Sequence, residues 1–152
     1  MENERLKEAL ARLAEGLEFP ENRQLTEVIV PTAAFKDFCL ALRSTEDLFF
    51  DYLISMTAVD WLTGITLVYH LTSTRHGHTI VVKQQVADRQ AAVADTVSDI
   101  WSTAIFQERE VFDLFGVTFQ GHGDMRRILL EDTWEGYPLR KDYVDEINII
   151  ER

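Results

Sequence analysis

The stretch Ile65-Thr66-Leu67-Val68-Tyr69-His70-Leu71-Thr72 decides the fold class. Ile65, Leu67, Tyr69 and Leu71 alternate with Thr66, Val68, His70 and Thr72, the period of two that sends alternate side chains to opposite faces of a strand. Upstream, Leu62-Thr63-Gly64 supplies a turn, and a strand is expected within residues 48–61. Downstream, Arg75-His76-Gly77-His78 turns the chain and residues 79–86 return as a strand, so the two runs form a hairpin.

Helical patterns flank this β-segment. Leu6, Leu10, Leu13 and Leu17 recur on one stripe, which predicts a helix over 3–17. The segment EFPENRQ reads as a turn, and residues 25–30 read as a strand that Pro31 stops. Thr32 is expected to cap a helix running to Arg43, with Ala34, Phe35, Phe38 and Leu42 on one side. Residues 90–115 read as helix, in one or two pieces. Beyond Gly116 the chain has short apolar clusters and mixed charges, which predicts an ordered but irregular segment. The order implies an α+β fold of two layers, helices packed on a mostly antiparallel or mixed sheet. Residues 1–116 form its domain and 117–152 an extended, charge-rich interface tail.

Composition narrows the function. A chain of 152 residues suits one core. Its net charge of −11 opposes binding to phosphate backbones and to anionic membrane surfaces, and leaves docking on a basic protein patch open. The single cysteine, Cys39, can neither form an internal disulfide nor hold an iron–sulfur cluster alone, and a reducing compartment fits. The charged start MENERLKEAL does not read as a signal peptide. No apolar run approaches the roughly 20 residues of a membrane span, so any service to a membrane process is expected to run through partners.

The segment 101–116 carries an anomaly. At helical pitch, Trp101, Ala104, Ile105, Val111, Phe112 and Phe115 share a side, and Glu108 falls in its middle. A carboxylate there must be paired or hydrogen-bonded. Either the helix breaks near Ile105 and frees Glu108 to solvent, or an arginine of the tail, Arg126 or Arg140, holds it. Arg109 and Asp113 are spaced to pair on the exposed side. Glu110 and Asp113 are like charges three apart, which local helix stability does not explain.

In the tail, Arg126-Arg127 and Arg140-Lys141 sit beside Asp124, Glu131, Asp132, Glu135 and Asp142, with Phe119, Trp134, Tyr137 and Leu139 embedded. Aromatic anchors and arginines in a polar rim are the composition of an interface. A solvated tail folded back on its own domain reads as well from composition alone.

The ordered run EREVFDLFGVTFQGHGDMRRILL followed by EGYPLRKDY closely resembles the signature of one family of respiratory complex I, its thirty-kilodalton or C subunit. The residues that carry it are Glu108, Arg109, Glu110, Asp113, Gly116, Gly121, His122, Arg126, Arg127, Gly136, Pro138, Leu139, Arg140, Lys141 and Asp142. So long an ordered match is far more specific than a lone motif. Two positions depart from it: Ile105-Phe106 stands where members commonly have Asn-Trp, and Gly123 where they commonly have Pro after Gly-His.

The resemblance implies a structural subunit of the peripheral arm of a proton-translocating NADH:quinone oxidoreductase. It would dock on the quinone-reducing, hydrogenase-large-subunit-like D subunit and lie beside iron–sulfur subunits. It implies no catalytic, cofactor-binding or metal-binding residue in this chain. NADH, FMN, the iron–sulfur clusters and quinone would belong to partner subunits, and the complex would hold the chain at the cytoplasmic face of the inner membrane. On this reading Arg126, Arg127, Arg140 and Lys141 meet carboxylates of the chain or of the quinone-reducing partner, while Glu108, Glu110 and Asp113 meet cations. Relatives in membrane-bound hydrogenases and F420-linked dehydrogenases give an alternative machine.

Other constellations compete. His76 and His78, with His70 or His122, could offer imidazoles to a metal, but a structural zinc site needs four suitably spaced ligands. His122 with Asp124 or Asp113 could serve an independent soluble enzyme by acid–base chemistry, against the simpler reading of a turn hydrogen bond. Cys39, between Phe38 and Leu40, reads as a small buried hydrophobe. Phosphate-binding and dinucleotide glycine motifs are absent from the sequence.

Overall fold

A computed structural model describes residues 3–22 and 24–145. The elements run α1 (Asn3–Ala11), β1 (Thr26–Ile29), α2 (Thr32–Ser44), β2 (Tyr52–Asp60), β3 (Ile65–Thr72), β4 (Thr79–Val86), β5 (Val93–Asp95), α3 (Ala104–Phe115) and β6 (Thr118–Gln120). The expected α+β class holds. Strands β2, β3 and β4 form an antiparallel meander, and β1 adds in parallel beside β4, giving the order β1-β4-β3-β2. A second sheet pairs β5 and β6 in parallel.

The hairpin read from the alternation is present in register. Leu71 faces Ile80, Tyr69 faces Val82 and Ile65 faces Val86, and all six are buried in one core. Helix α2 lays Phe35, Phe38, Cys39 and Leu42 into that core, with the Phe35 and Tyr69 rings 5.0 Å apart. Burial pushes the Cys39 thiol well above its usual range, as befits a packing residue.

Three expectations change. The first helix ends at Ala11, not at Leu17. Glu18 instead pairs with Ile29 through two backbone bonds of 3.1 and 2.8 Å, and Gly16 turns the chain at φ +77°; Leu13 and Leu17 pack on the core from this turn. Thr32 does not cap α2: its hydroxyl donates to the Gln85 carbonyl at 3.0 Å, because the crossover from β1 lands beside β4. The stretch 90–103 is not helix. Asp88 accepts from the amides of Gln90 and Ala91 (3.0 and 3.1 Å), an Asx turn that halts helix growth, and residues 93–95 then pair with β6. Tertiary pairing overrides the helix propensity of Ala91, Ala92 and Ala94.

The chain stays in the core past residue 116. Val117 and Phe119 are buried, and β6 lies within the segment expected as tail. From Gly121 to Asp145 the described backbone has no helix or strand, as the sequence predicts.

The Tyr69 hydroxyl is buried and has no hydrogen-bond partner among the described residues. An unmet hydroxyl contributes nothing to offset its desolvation. Tyr69→Phe should therefore leave stability unchanged or raise it by up to about 1 kcal/mol in urea unfolding; a loss larger than that would reveal a partner for the hydroxyl.

Candidate functional site

Most of the signature residues gather where α3 meets the tail; Lys141 and Asp142 lie instead at the end of β2. Glu108 is fully buried in α3, which neither breaks nor exposes it. Neither Arg126 nor Arg140 holds it, and no other arginine among the described residues does. One carboxylate oxygen accepts from the Thr96 hydroxyl, and the other accepts from the Val97 amide at 2.9 Å. Burial pushes this carboxyl above its ordinary range, and the two hydrogen bonds offset only part of that. Glu108 thereby ties α3 to the loop after β5. Gly121, at φ +87°, passes within 3.1 Å of the Thr96 methyl at the position a Cβ would take.

The expected exposed pair of Arg109 and Asp113 does not form. Both are buried, and each reaches the tail separately. Arg109 donates through Nε to the Arg126 carbonyl (3.1 Å) and through Nη2 to the Arg127 carbonyl (2.9 Å). Asp113 Oδ1 accepts from Arg127 Nη1 at 2.8 Å. Its Oδ2 accepts from three consecutive amides, Ile128 (3.2 Å), Leu129 (2.7 Å) and Leu130 (3.0 Å). Burial alone would raise the Asp113 carboxyl, yet the guanidinium and the three amides outweigh it and hold it below the usual carboxylate range. Glu110 stays on the solvent side. The like-charge spacing of Glu110 and Asp113 thus has a local explanation: the two face different surroundings.

Arg127 makes the most contacts across this junction. Its Nη1 also donates to the Asp113 carbonyl (2.8 Å), and its Nη2 donates to the carbonyls of Trp134 (3.0 Å) and Gly136 (2.8 Å). The guanidinium lies 5.1 Å from the Tyr137 ring, a cation–π distance. Arg140 stands 5.4 Å from the same ring and donates to the Phe115 carbonyl at 2.6 Å. Gly116 ends α3 in the left-handed region at φ +76°, and the Tyr137 ring fills the space where a Cβ would sit, 2.6 Å away. Gly136, at φ +85°, turns the tail back, and the Leu139 amide after Pro138 donates to the Leu114 carbonyl at 3.0 Å.

Arg126 is exposed and pairs with Asp124 at 2.8 Å. His122 donates from Nε2 to the Ile105 carbonyl (2.8 Å) and accepts the Asp124 amide on Nδ1 (3.0 Å), because an amide can only donate and a carbonyl only accept. Both ring nitrogens thus face backbone groups, as in the simpler reading of a turn hydrogen bond. His76 and His78 turn their Nε2 atoms to the carbonyls of Glu46 (2.7 Å) and Leu48 (2.8 Å).

A second clasp was not legible in the sequence. Asp60, at the end of β2, is buried and accepts from Arg89 Nε (2.8 Å) and Nη2 (2.6 Å), from the Leu62 amide (2.9 Å) and from the Lys141 amide (2.9 Å). Arg89 also reaches Asp142, at 2.8 Å. Burial would raise the Asp60 carboxyl, but Arg89 and the two amides bring it down to about 2. Only chain reversal brings residues 60, 89 and 142 together.

The clasped tail turns bulky apolar side chains outward. Leu129 is 63% exposed, Leu139 52% and Val144 79%. On the adjoining α3 surface Phe106 is 61% exposed. No helix among the described residues is long and apolar enough to cross a membrane.

Comparison with known proteins yields a consistent set. Residues 28–147 match the family described as respiratory-chain NADH dehydrogenase, 30 Kd subunit. The NADH-quinone oxidoreductase C subunit of Geobacter sulfurreducens is 40% identical over 143 residues, covering 91% of this chain and 85% of that protein. The NADH-quinone oxidoreductase C/D subunit of Bacteroides thetaiotaomicron is 45% identical over 130 residues, covering 78% of this chain. The chain spans only about a quarter of the length of that relative, 24%. Among solved structures, a chain of the membrane-bound sulfane sulfur reductase, an archaeal respiratory membrane complex, superposes with a TM-score of 0.80 at 33% identity, covering 95% of this chain and 86% of that one. The trypsin-resistant fragment (1-134) of Nqo5 gives a TM-score of 0.68 at 29% identity, covering 82% and 99%.

The Asp60 clasp has a pH signature. A carboxyl held down to about 2 contributes stability above its ordinary pKa and loses it as pH falls toward about 2. Asp60→Asn should lower stability at pH 7 by about 1–3 kcal/mol, since the Leu62 and Lys141 amides and Arg89 lose a charged, buried acceptor. It should also flatten the decline in stability between about pH 4 and pH 2, measured by urea unfolding across that range.

Proposed function

The chain belongs to the family of the respiratory-chain NADH dehydrogenase 30 Kd subunit, and from that premise we propose that it is a structural subunit of the peripheral arm of a proton-translocating NADH:quinone oxidoreductase, docked through its tail on the quinone-reducing D subunit. One observation carries the reading. Residues 124–145 have no regular structure of their own, yet buried charges pin them to the core while Leu129, Leu139 and Val144 face outward. A monomeric protein gains nothing from rigidly displaying such side chains, whereas a docking surface does, because order established beforehand lowers the entropy lost on binding.

The Bacteroides relative named C/D supports the quinone-reducing partner as the neighbour: this chain matches a quarter of it, so there the corresponding domain is covalently continuous with a much longer remainder. The likeness to a chain of the sulfane sulfur reductase complex fits a scaffold used with more than one redox chemistry. In this reading NADH, FMN, iron–sulfur clusters and quinone are held by partner chains, with iron–sulfur subunits adjoining. The site residues are those of the two clasps and their outward surface. The complex holds the chain at the cytoplasmic face of the membrane.

Co-purification of the tagged full-length chain from native membranes tests this. The quinone-reducing partner and iron–sulfur subunits should be recovered with it; recovery of the chain alone would refute the reading. Leu129→Asp alters an exposed position, so the isolated chain should stay within about 0.5 kcal/mol of wild type while losing most of its co-purifying partner. Arg127→Ala, Arg140→Ala and Glu108→Ala should lower the amount of assembled complex several-fold, the response expected when stability drops by a few kcal/mol. Normal assembly with failed electron transfer in these variants would contradict a scaffold role.

A further inference from the structure

The β2–β3 hairpin tip is the feature the tail does not account for. Trp61 is 59% exposed and Leu62 53%. Leu62 holds φ +66°, a left-handed conformation that glycine or asparagine adopts far more readily than leucine. Strain of this kind persists where the surroundings enforce it, and it concentrates at functional positions. The enforcement is visible: the Leu62 amide is fixed on Asp60 Oδ1 at 2.9 Å, and the Trp61 amide donates to the Gly64 carbonyl at 2.9 Å.

The indole is equally fixed. Its Nε1 donates to Thr66 Oγ1 at 3.0 Å, and the Lys141 ammonium lies 5.7 Å from the ring. Beside it opens a hollow of about 230 Å³, lined by Trp61, Gly64, Gln85 and Val86. Small-molecule sites run from about 300 Å³ upward, so this hollow suits a single inserted side chain. A rigid, exposed tryptophan beside such a hollow is the form of an interface anchor.

The tip is continuous with the tail surface. The same Asp60 carboxylate binds the Leu62 amide on one oxygen and the Lys141 amide on the other, so residues 61–62 and 139–141 share one end of the molecule. Leu139 adds its exposed side chain to that end.

We propose that Trp61 and Leu62 form a second docking element for the same neighbouring polypeptide that the tail engages, with an apolar side chain of that partner entering the hollow beside the indole. The proposal rests on the tail-docking reading and extends it to a part of the chain outside the signature. Leucine at position 62 offers its side chain for contact, against the preference of its own backbone.

The test uses the purified full-length chain, with the purified quinone-reducing D subunit of the same enzyme as the probe. Trp61→Ala and Leu62→Asn should each raise Kd at least tenfold, and Leu62→Asn should leave the Tm of the isolated chain unchanged or higher, because asparagine relieves the strain. Binding within twofold of wild type for both variants, while Leu129→Asp weakens binding, would overturn this proposal and leave the tail reading standing. A wild-type chain that does not bind the probe would overturn both. A lower Tm in Leu62→Asn would mark the tip as a structural turn and overturn it. So would a wild-type dimer in sedimentation that Leu62→Asn dissolves, since the occupant would then be a second copy.

Discussion

The Asp113 carboxylate, fully buried in the last turns of α3, accepts from one guanidinium and three consecutive amides, all supplied by the tail. A carboxylate in that position without those donors would carry a desolvation cost of several kcal/mol. The tail is thus the solvent for a charge the helix has buried. In return, α3 gives three amides of an otherwise irregular segment an acceptor. Arg127 extends the exchange to the carbonyls of Trp134 and Gly136, so a single side chain organises residues 127–137.

Glu108 and Asp113 lie five positions apart on one helix and are treated oppositely. Glu108 meets a hydroxyl and an amide, and burial dominates its protonation balance. Asp113 meets a full positive charge and three amides, and these dominate instead. The first fastens α3 inward, to the loop following β5; the second fastens the tail onto α3. Asp60 repeats the second arrangement further along the tail, at Lys141 and Asp142, with Arg89 as its counter-charge. Two charge-centred clasps hold an extended segment by its ends without requiring a core of its own.

Held this way, the segment can direct its bulky apolar side chains outward. The same clasp at Asp60 also fixes the β2–β3 turn, so the outward surface runs from tail to hairpin through one carboxylate. Preorganisation of this kind favours a lasting assembly over an encounter that must first order its partner.

The sequence by itself determined what depends on local periodicity and on an ordered motif. The alternation from Ile65 to Leu71 fixed a strand and its buried face, the glycine turn after it fixed a hairpin, and the signature from Glu108 to Tyr143 carried the family. It also singled out Glu108, as a carboxylate either buried with a partner or freed to solvent by a break in the helix; the structure buries it. Only the tertiary structure decided which partner. Thr96 rather than any described arginine reaches Glu108, Arg127 rather than Arg109 reaches Asp113, and Arg89 joins Asp60 and Asp142. It also made a strand of residues 93–95, because β6 lay alongside to pair with them. Periodicity reports which side of an element is dry. It carries no information about which distant residue is brought to that side, since that depends on how the whole chain reverses and packs.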